Sequence, residues 1–259
     1  MLLGLLIFIN YHLPAQMLPP LHGDEDHELH FSHPLFTESP SPDTKIRVDY
    51  FYSKLNEDAI KQHSFRFEGE YAFLPQLSIE VDVPYTILNN EETVSRLDNV
   101  SVGFKYANFS LSHSGLLLGG GVEVGLPTGS DKTGIGSNTV WVVEPFVDFG
   151  YQKNNLEIVG FGNFGLPVNG GNDEANLEFE YNLSFLYHIN AAIEPLIEIN
   201  GVKVSGGAED GFSSVNIAPG IKVKPVRHIN LKIGFGYRFP LTDDKEITDG
   251  TVVSVFYHF

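Results

Sequence analysis

No cysteine occurs in the 259 residues. That excludes disulfides, thiolate nucleophiles, thiolate metal sites and a lipid-modified N-terminal cysteine. Basic residues are scarce: 16 Lys and Arg stand against 33 Asp and Glu, a formal net charge of −17. Such a chain cannot neutralise a run of phosphates, so no nucleic-acid partner is expected. The same deficit argues against a polybasic anchor on a membrane surface. No stretch reaches the ~18 apolar residues of a helical membrane span. What is plentiful is apolar and aromatic: 42% hydrophobic residues, 12% aromatic, and 26 Gly. This is too apolar for a disordered chain and fits one large all-β domain or two smaller ones.

Residues 1–15 read as a signal peptide. Leu2 to Ile9 is an apolar core of the right length, and Leu13-Pro14-Ala15 can precede a cleavage site. The basic n-region is missing, so a short buried strand or helix is the alternative. Residues 16–44 read as a periplasmic N-terminal segment. It opens with HGDEDHELHFSHP, where His22, His27, His30 and His33 stand among Asp24, Glu25, Asp26 and Glu28. Imidazole and carboxylate are ligands for zinc, copper or nickel. His27, His30 and His33 step by three, so one helical turn would bring neighbours onto one face. Either the segment is a solvated acidic stretch with no cofactor, or it captures Zn or Cu weakly. The TESPSPD that follows reads as an extended linker or as a segment entering the domain behind it.

From Lys45 to Phe259 the hydrophobic period is two. In INLKIGFGYRF, Ile229, Leu231, Ile233, Phe235, Tyr237 and Phe239 alternate with Asn230, Lys232, Gly234, Gly236 and Arg238. LEFEYNLSFLY does the same with Leu177, Phe179, Tyr181, Leu183, Phe185 and Tyr187. Strict alternation over about ten residues is a strand signal. About twelve such segments are expected, near 45–54, 63–73, 76–86, 98–108, 115–126, 139–150, 155–165, 176–188, 191–202, 214–225, 228–240 and 247–259. Their length suits tilted transmembrane strands rather than the ~5–6 residues of globular ones. Connections alternate long and short, with both ends of the 45–259 stretch on the short side. The expected fold is therefore all-β: a closed, antiparallel, up-and-down transmembrane barrel with short periplasmic turns and long extracellular loops. Only closed barrels and helices satisfy the backbone in lipid. Pro145, Pro195 and Pro219 fall inside strands, where a bulge or kink is expected.

If the apolar face meets lipid, the other face lines the lumen. Its acidic wall is Glu123, Glu144, Asp148, Glu157, Glu178, Glu180, Glu194 and Glu198. Its basic wall is Arg47, Arg66, Lys222, Lys224, Lys232 and Arg238. Around a closed ring the two walls would face each other. They form either a transverse field across a narrow pore or a closed plug of ion pairs. Twelve strands lie between barrels filled by side chains and those with an open channel. A catalytic pair is not expected. Ser184 and His188 lie on one strand face but about 13 Å apart at ~3.3 Å per residue. GLLLGGGVEVG has no following helix to make a phosphate cradle.

HPLFTESPSPDTKIRVDYFY, EGEYAFLPQLSIEVDVPYT, GGGVEVGLPTGSDKTGIGS, EPFVDFGY and VSVFYHF together resemble outer-membrane transporter-like proteins of the meta-pathway phenol-degradation family. The resemblance covers about Pro34 to Phe259. It implies a bacterial outer-membrane barrel that passes small, often aromatic, molecules, and it implies no catalytic residue. The ending with Tyr257 and Phe259 resembles the signal read by the barrel-assembly machinery. The expectation is thus a non-enzymatic outer-membrane channel for passive passage of small solutes, with lipid, assembly machinery and solute as partners. The alternatives are a metal-linked outer-membrane protein, a barrel hydrolase and a soluble periplasmic sandwich.

Overall fold

Alternating side chains need a surface with two different faces, and the chain provides one by closing on itself. The computed structural model describes residues 29–55, 60–168, 177–207, 209–226 and 228–259. Its strands are β1 (Lys45–Leu55), β2 (Lys61–Leu74), β3 (Leu77–Asn89), β4 (Thr93–Leu97), β5 (Ser101–Asn108), β6 (Leu116–Gly125) and β7 (Val142–Lys153). They continue with β8 (Leu156–Pro167), β9 (Leu177–Tyr187), β10 (Ile193–Ser205), β11 (Ser213–Val223), β12 (Leu231–Pro240) and β13 (Ile247–His258). Apart from β4 and β5, which both pair with β3, each strand pairs antiparallel with its sequence neighbours. The ring closes where β1 pairs with β13, from Lys45↔His258 to Leu55↔Ile247. The short β4 pairs with the far end of β3, and β5 with its near end. β4 and β5 thus form one stave interrupted at 98–100, and the barrel has twelve staves.

Pro145, Pro195 and Pro219 interrupt ladders without shifting them. The β7–β8 pairing skips Glu144 and Pro145, and the β11–β12 pairing skips Ala218 and Pro219, with the register unchanged on either side. Pro195 still pairs with Ile221 but has no partner on β9. A proline removes one donor, and in an antiparallel ladder that donor serves only one neighbour. The expected bulges therefore do not form there. Register shifts occur instead at Lys54/Leu55 and Ala72/Leu74, near strand ends.

Loop lengths differ between the two ends, but less regularly than the sequence pattern suggests. The turns 75–76 and 154–155 contrast with the loop 126–141. Asn154, with φ 56, supplies the left-handed residue that so tight a hairpin needs. However, 224–230 on the short-turn end is longer than 241–246 on the other.

Phe65, Phe67, Val81, Phe104, Val147, Phe185, Ile197, Phe235 and Val253 are all exposed on the outside of the ring. An apolar band of that extent is far beyond what a soluble monomer presents, and it is the surface that lipid covers. Inside, the barrel is not uniformly polar. Ala107, Leu117, Val159, Leu186, Leu196, Val252 and Phe256 form a buried apolar cluster. Phe31 and Leu35 complete that cluster, so residues 29–44 lie within the lumen. Of the 16–44 segment expected ahead of the barrel, the described residues 29–44 are thus packed inside it, in line with the reading of TESPSPD as a segment that enters the domain. The segment carries four apolar residues, Phe31, Leu35, Phe36 and Leu29, and the lumen offers them a matching surface. Burying Phe31 and Leu35 stabilises that position by about 1.5–3 kcal/mol each. The expected signal peptide over 1–15, His22 and His27 lie outside the described residues.

Candidate functional site

The N-terminal segment enters at the short-turn end, bends over 35–37, and returns at Asp43 to begin β1. It has no regular secondary structure, so its backbone groups must find side-chain partners. Within the segment, Phe31 N–H donates to Ser41 Oγ at 2.9 Å, and Ser39 Oγ donates to Phe31 C=O at 3.3 Å. The wall supplies the others. Glu198, fully buried on β10, accepts from the N–H groups of Leu35 (2.7 Å), Phe36 (3.2 Å) and Thr37 (2.9 Å). It also accepts from the hydroxyls of Thr37 and Ser184, each at 2.7 Å. Glu157 on β8 accepts Ser32 N–H at 3.0 Å, and Glu194 on β10 accepts Ser32 Oγ at 2.7 Å. The carbonyls meet cations. Arg47 Nη2 donates to Leu35 C=O and Lys222 Nζ to His33 C=O, both at 2.5 Å. Acids hold the segment's N–H groups and bases hold its carbonyls.

Shape follows the same logic. A Cβ on Gly150 of β7 would lie 2.6 Å from the Phe31 ring, so only glycine leaves room for it. Leu35 sits between Gly220, Gly234 and Gly236 of β11 and β12.

The two predicted walls therefore do not confront each other across open water. Arg47 pairs with Asp49 at 2.9 Å, and Arg66 with Asp49 at 2.8 Å. Lys232 and Lys222 pair with Glu194 at 2.7 and 3.1 Å. Lys224 lies beyond β11 at the short-turn end and donates to Asn230 at 3.3 Å. Arg238 on β12 lies 5.3 Å from the Phe36 ring of the segment. On the acidic side Glu123, Glu144, Asp148, Glu178 and Glu180 make no ion pair among the described residues. Glu123 faces Glu144 across the β6–β7 ladder. Lys45, which the alternation did not single out, lies 2.5 Å from Glu68 and 2.9 Å from Glu70. Adjacent strands put opposite charges side by side, and a near neighbour outcompetes a charge across the ring.

Ser184 Oγ is engaged by Glu198 and Thr37. Its hydroxyl helps hold the segment, the Glu198 carboxylate it meets is taken up by the Leu35, Phe36 and Thr37 N–H groups, and no His bonds to it among the described residues, so the geometry does not favour the hydrolase alternative. At the closing seam Tyr257 packs edge-on against Phe259, ring centres 5.0 Å apart. Phe259 N–H donates to Thr44 C=O at 3.1 Å.

A cavity lies at each mouth of the barrel, and a smaller one of about 150 Å³ beside Phe36 shares Arg238 and Glu246 with the larger. The larger, about 770 Å³, opens toward the long loops and is lined by Phe51, Gln62, Glu178, Phe212, Arg238 and Glu246. The other, about 490 Å³, opens at the short-turn end and is lined by His30, His33, Asp43, His188, Lys232 and His258. No residue lines both. His30 and His33 both meet Asp43, without the helix that their spacing suggested. Burial pushes the Asp43 carboxyl up, but hydrogen bonds from His30 and His33 outweigh it and hold the group well below the carboxylate range.

In the turn after β9, His188 Nε2 lies 2.8 Å from Glu157 and Nδ1 lies 3.6 Å from Glu194. Hydrogen bonding to Glu157, then to Glu194, raises its pKa to about 9. A pKa raised above the ordinary value of about 6.5 means a proton held more tightly in the folded state. That contribution is complete below about pH 6.5 and lost as pH rises through about 9. The stability gap between the wild type and His188→Gln, from urea unfolding in detergent, should therefore be widest below about pH 6.5 and closed above about pH 9. A gap independent of pH would mean that His188 acts by packing alone.

No protein-family model matches the chain, and no curated protein matches it. Solved structures do. An outer-membrane channel of Pseudomonas putida F1 superposes with a TM-score of 0.67 at 11% identity, covering 92% of this chain and 100% of that one. The NanC porin gives a TM-score of 0.58 at 10% identity, covering 83% of this chain and 98% of its own. The KdgM porin gives 0.54 at 10% identity, covering 83% and 99%. At such identities the likeness is one of fold: a closed barrel of the outer-membrane channel type.

Proposed function

We propose that this protein is an outer-membrane channel for passive passage of small solutes, closed in this conformation by residues 29–43. The carrying observation is a segment of the chain itself packed inside the barrel, with Phe31 and Leu35 buried against the wall and its backbone held by Glu198, Arg47 and Lys222. A segment held by side chains, rather than woven into the sheet, can leave without unpairing a single strand. With it gone, the carboxylates of β6–β9 would face the cations that now bind its carbonyls, giving the transverse field that orients charged or dipolar solutes. An aromatic solute class is supported by the sequence resemblance to the phenol-degradation family. The likeness to channels and porins supports a non-enzymatic role in the outer membrane.

The test is planar-bilayer conductance of the full chain against a variant lacking residues 29–43. The full chain should be mostly closed, with brief openings, and the deletion should conduct steadily. A deletion variant that is folded by heat-modifiable gel mobility but electrically silent would overturn the channel reading.

A further inference from the structure

We infer that the short-turn mouth is a site for one divalent transition-metal ion of the zinc class, held by His33, Asp43 and His258 with His30 beside them. Such an ion would pin the N-terminal segment to the closing strand of the barrel. The inference rests on the juxtaposition of residues and not on conduction.

The three groups come from three parts of the chain: the entering limb of the segment, its returning limb and the end of β13. A ligand atom from each lies within 4.8 Å of the others. His30 Nε2 lies 2.5 Å from Asp43 Oδ1, and His258 Nδ1 lies 3.9 Å from Asp43 Oδ2. The His33 and His258 rings are 5.5 Å apart between centres, and those of His30 and His258 6.4 Å. Zinc–nitrogen and zinc–oxygen bonds of about 2.0–2.2 Å hold tetrahedral ligand atoms roughly 3.3 Å apart, so small side-chain adjustments suffice. Imidazole with carboxylate is a donor set for zinc, copper or nickel, and it excludes the oxygen-seeking calcium and magnesium.

The surroundings also fit. The His258 ring makes no hydrogen bond among the described residues, although its neighbours are polar. The cluster opens on the 490 Å³ cavity, which gives an ion an entry route and room for a water as a fourth ligand. Lys224 and Lys232 line the cavity itself, and Lys45 Nζ lies 3.1 Å from His33 Nδ1. That contact places the His33 proton on Nε2, toward Asp43. When an ion takes Nε2, this proton moves to Nδ1, and Lys45 retains Glu68 and Glu70 as partners. Glu157 and Glu194 line the same cavity together with Lys224 and Lys232, so its charge is mixed and the attraction for an ion comes from the three ligands themselves.

The experiment is isothermal titration of the full chain in detergent with Zn²⁺, paired with Co²⁺ absorption spectra that report tetrahedral coordination. The wild type should bind one ion. A His22→Gln/His27→Gln variant, altered only ahead of the cluster, should bind it equally well, and so should His228→Gln. His33→Gln, Asp43→Asn and His258→Gln should each weaken binding by about tenfold or more. Heat-modifiable mobility would establish that each variant is folded. The inference is overturned if no ion binds. It is equally overturned if His22→Gln/His27→Gln abolishes binding while His258→Gln leaves it intact, because the ion then belongs to the leader.

Discussion

Oxidising a Leu35→Cys/Gly234→Cys protein is expected to abolish its conductance openings, and reduction to restore them. A Cβ at Gly234 would lie 3.6 Å from Leu35 Cγ, about one bond away from Leu35 Cβ. Disulfides require Cβ atoms about 3.5–4.5 Å apart, so the pair is placed to close. The native chain has no cysteine, so no other thiol competes. The bridge ties the bend of the segment to β12 and prevents it from leaving. Reduced, the same protein should open more often than the wild type, because Leu35→Cys removes buried apolar volume at a cost of about 1–3 kcal/mol. The decisive outcome is an oxidised protein, its bridge verified by mass, that conducts like the wild type. Solute would then pass with the segment in place, and the proposed closure would be wrong.

Glu198→Ala should release the segment while leaving the barrel intact. The carboxylate serves three consecutive backbone N–H groups and two hydroxyls in a fully buried site. Removing it strands those donors, and the cost falls on docking of the segment. By the scale for buried charged partners that cost is about 3–5 kcal/mol, or roughly two to three and a half powers of ten in the closed-to-open ratio. Amide hydrogen exchange at Leu35, Phe36 and Thr37 should rise with it, while the β10–β11 ladder stays protected. Glu198→Gln retains one acceptor oxygen and should fall between the two. Unchanged exchange at the three amides in Glu198→Ala would show that apolar packing alone holds the segment.

These expectations rest on contacts that the sequence showed unevenly. The alternation of the long strands was legible, because a strand's side-chain period is a local property of its backbone, whereas the short β4 (Thr93–Leu97) lies where only a loop was expected. Glu157, Glu194, Glu198, Arg47 and Lys222 are buried, and the sequence named none of their partners in the N-terminal segment. Leu186 and Leu196 occupy inward positions among polar ones, and Phe31, Leu35 and Phe36 sit in an otherwise polar N-terminal stretch. Both were visible departures from pattern, and together they were the available signal that something apolar fills the lumen. Asp43, Thr37, His188 and His258 carried no signal of their own.

The sequence by itself determined the closed barrel of about twelve staves, because alternation, strand length and turns are read within a dozen residues. The tertiary structure decided that the lumen is closed and by what. Glu198 and Leu35 are 163 residues apart, and Lys222 and His33 are 189 apart. Such pairs exist only once β1 and β13 have closed the ring and fixed which inward groups share a level. A charge then takes the nearest partner that this geometry offers, which here is the backbone of the chain's own N-terminal segment.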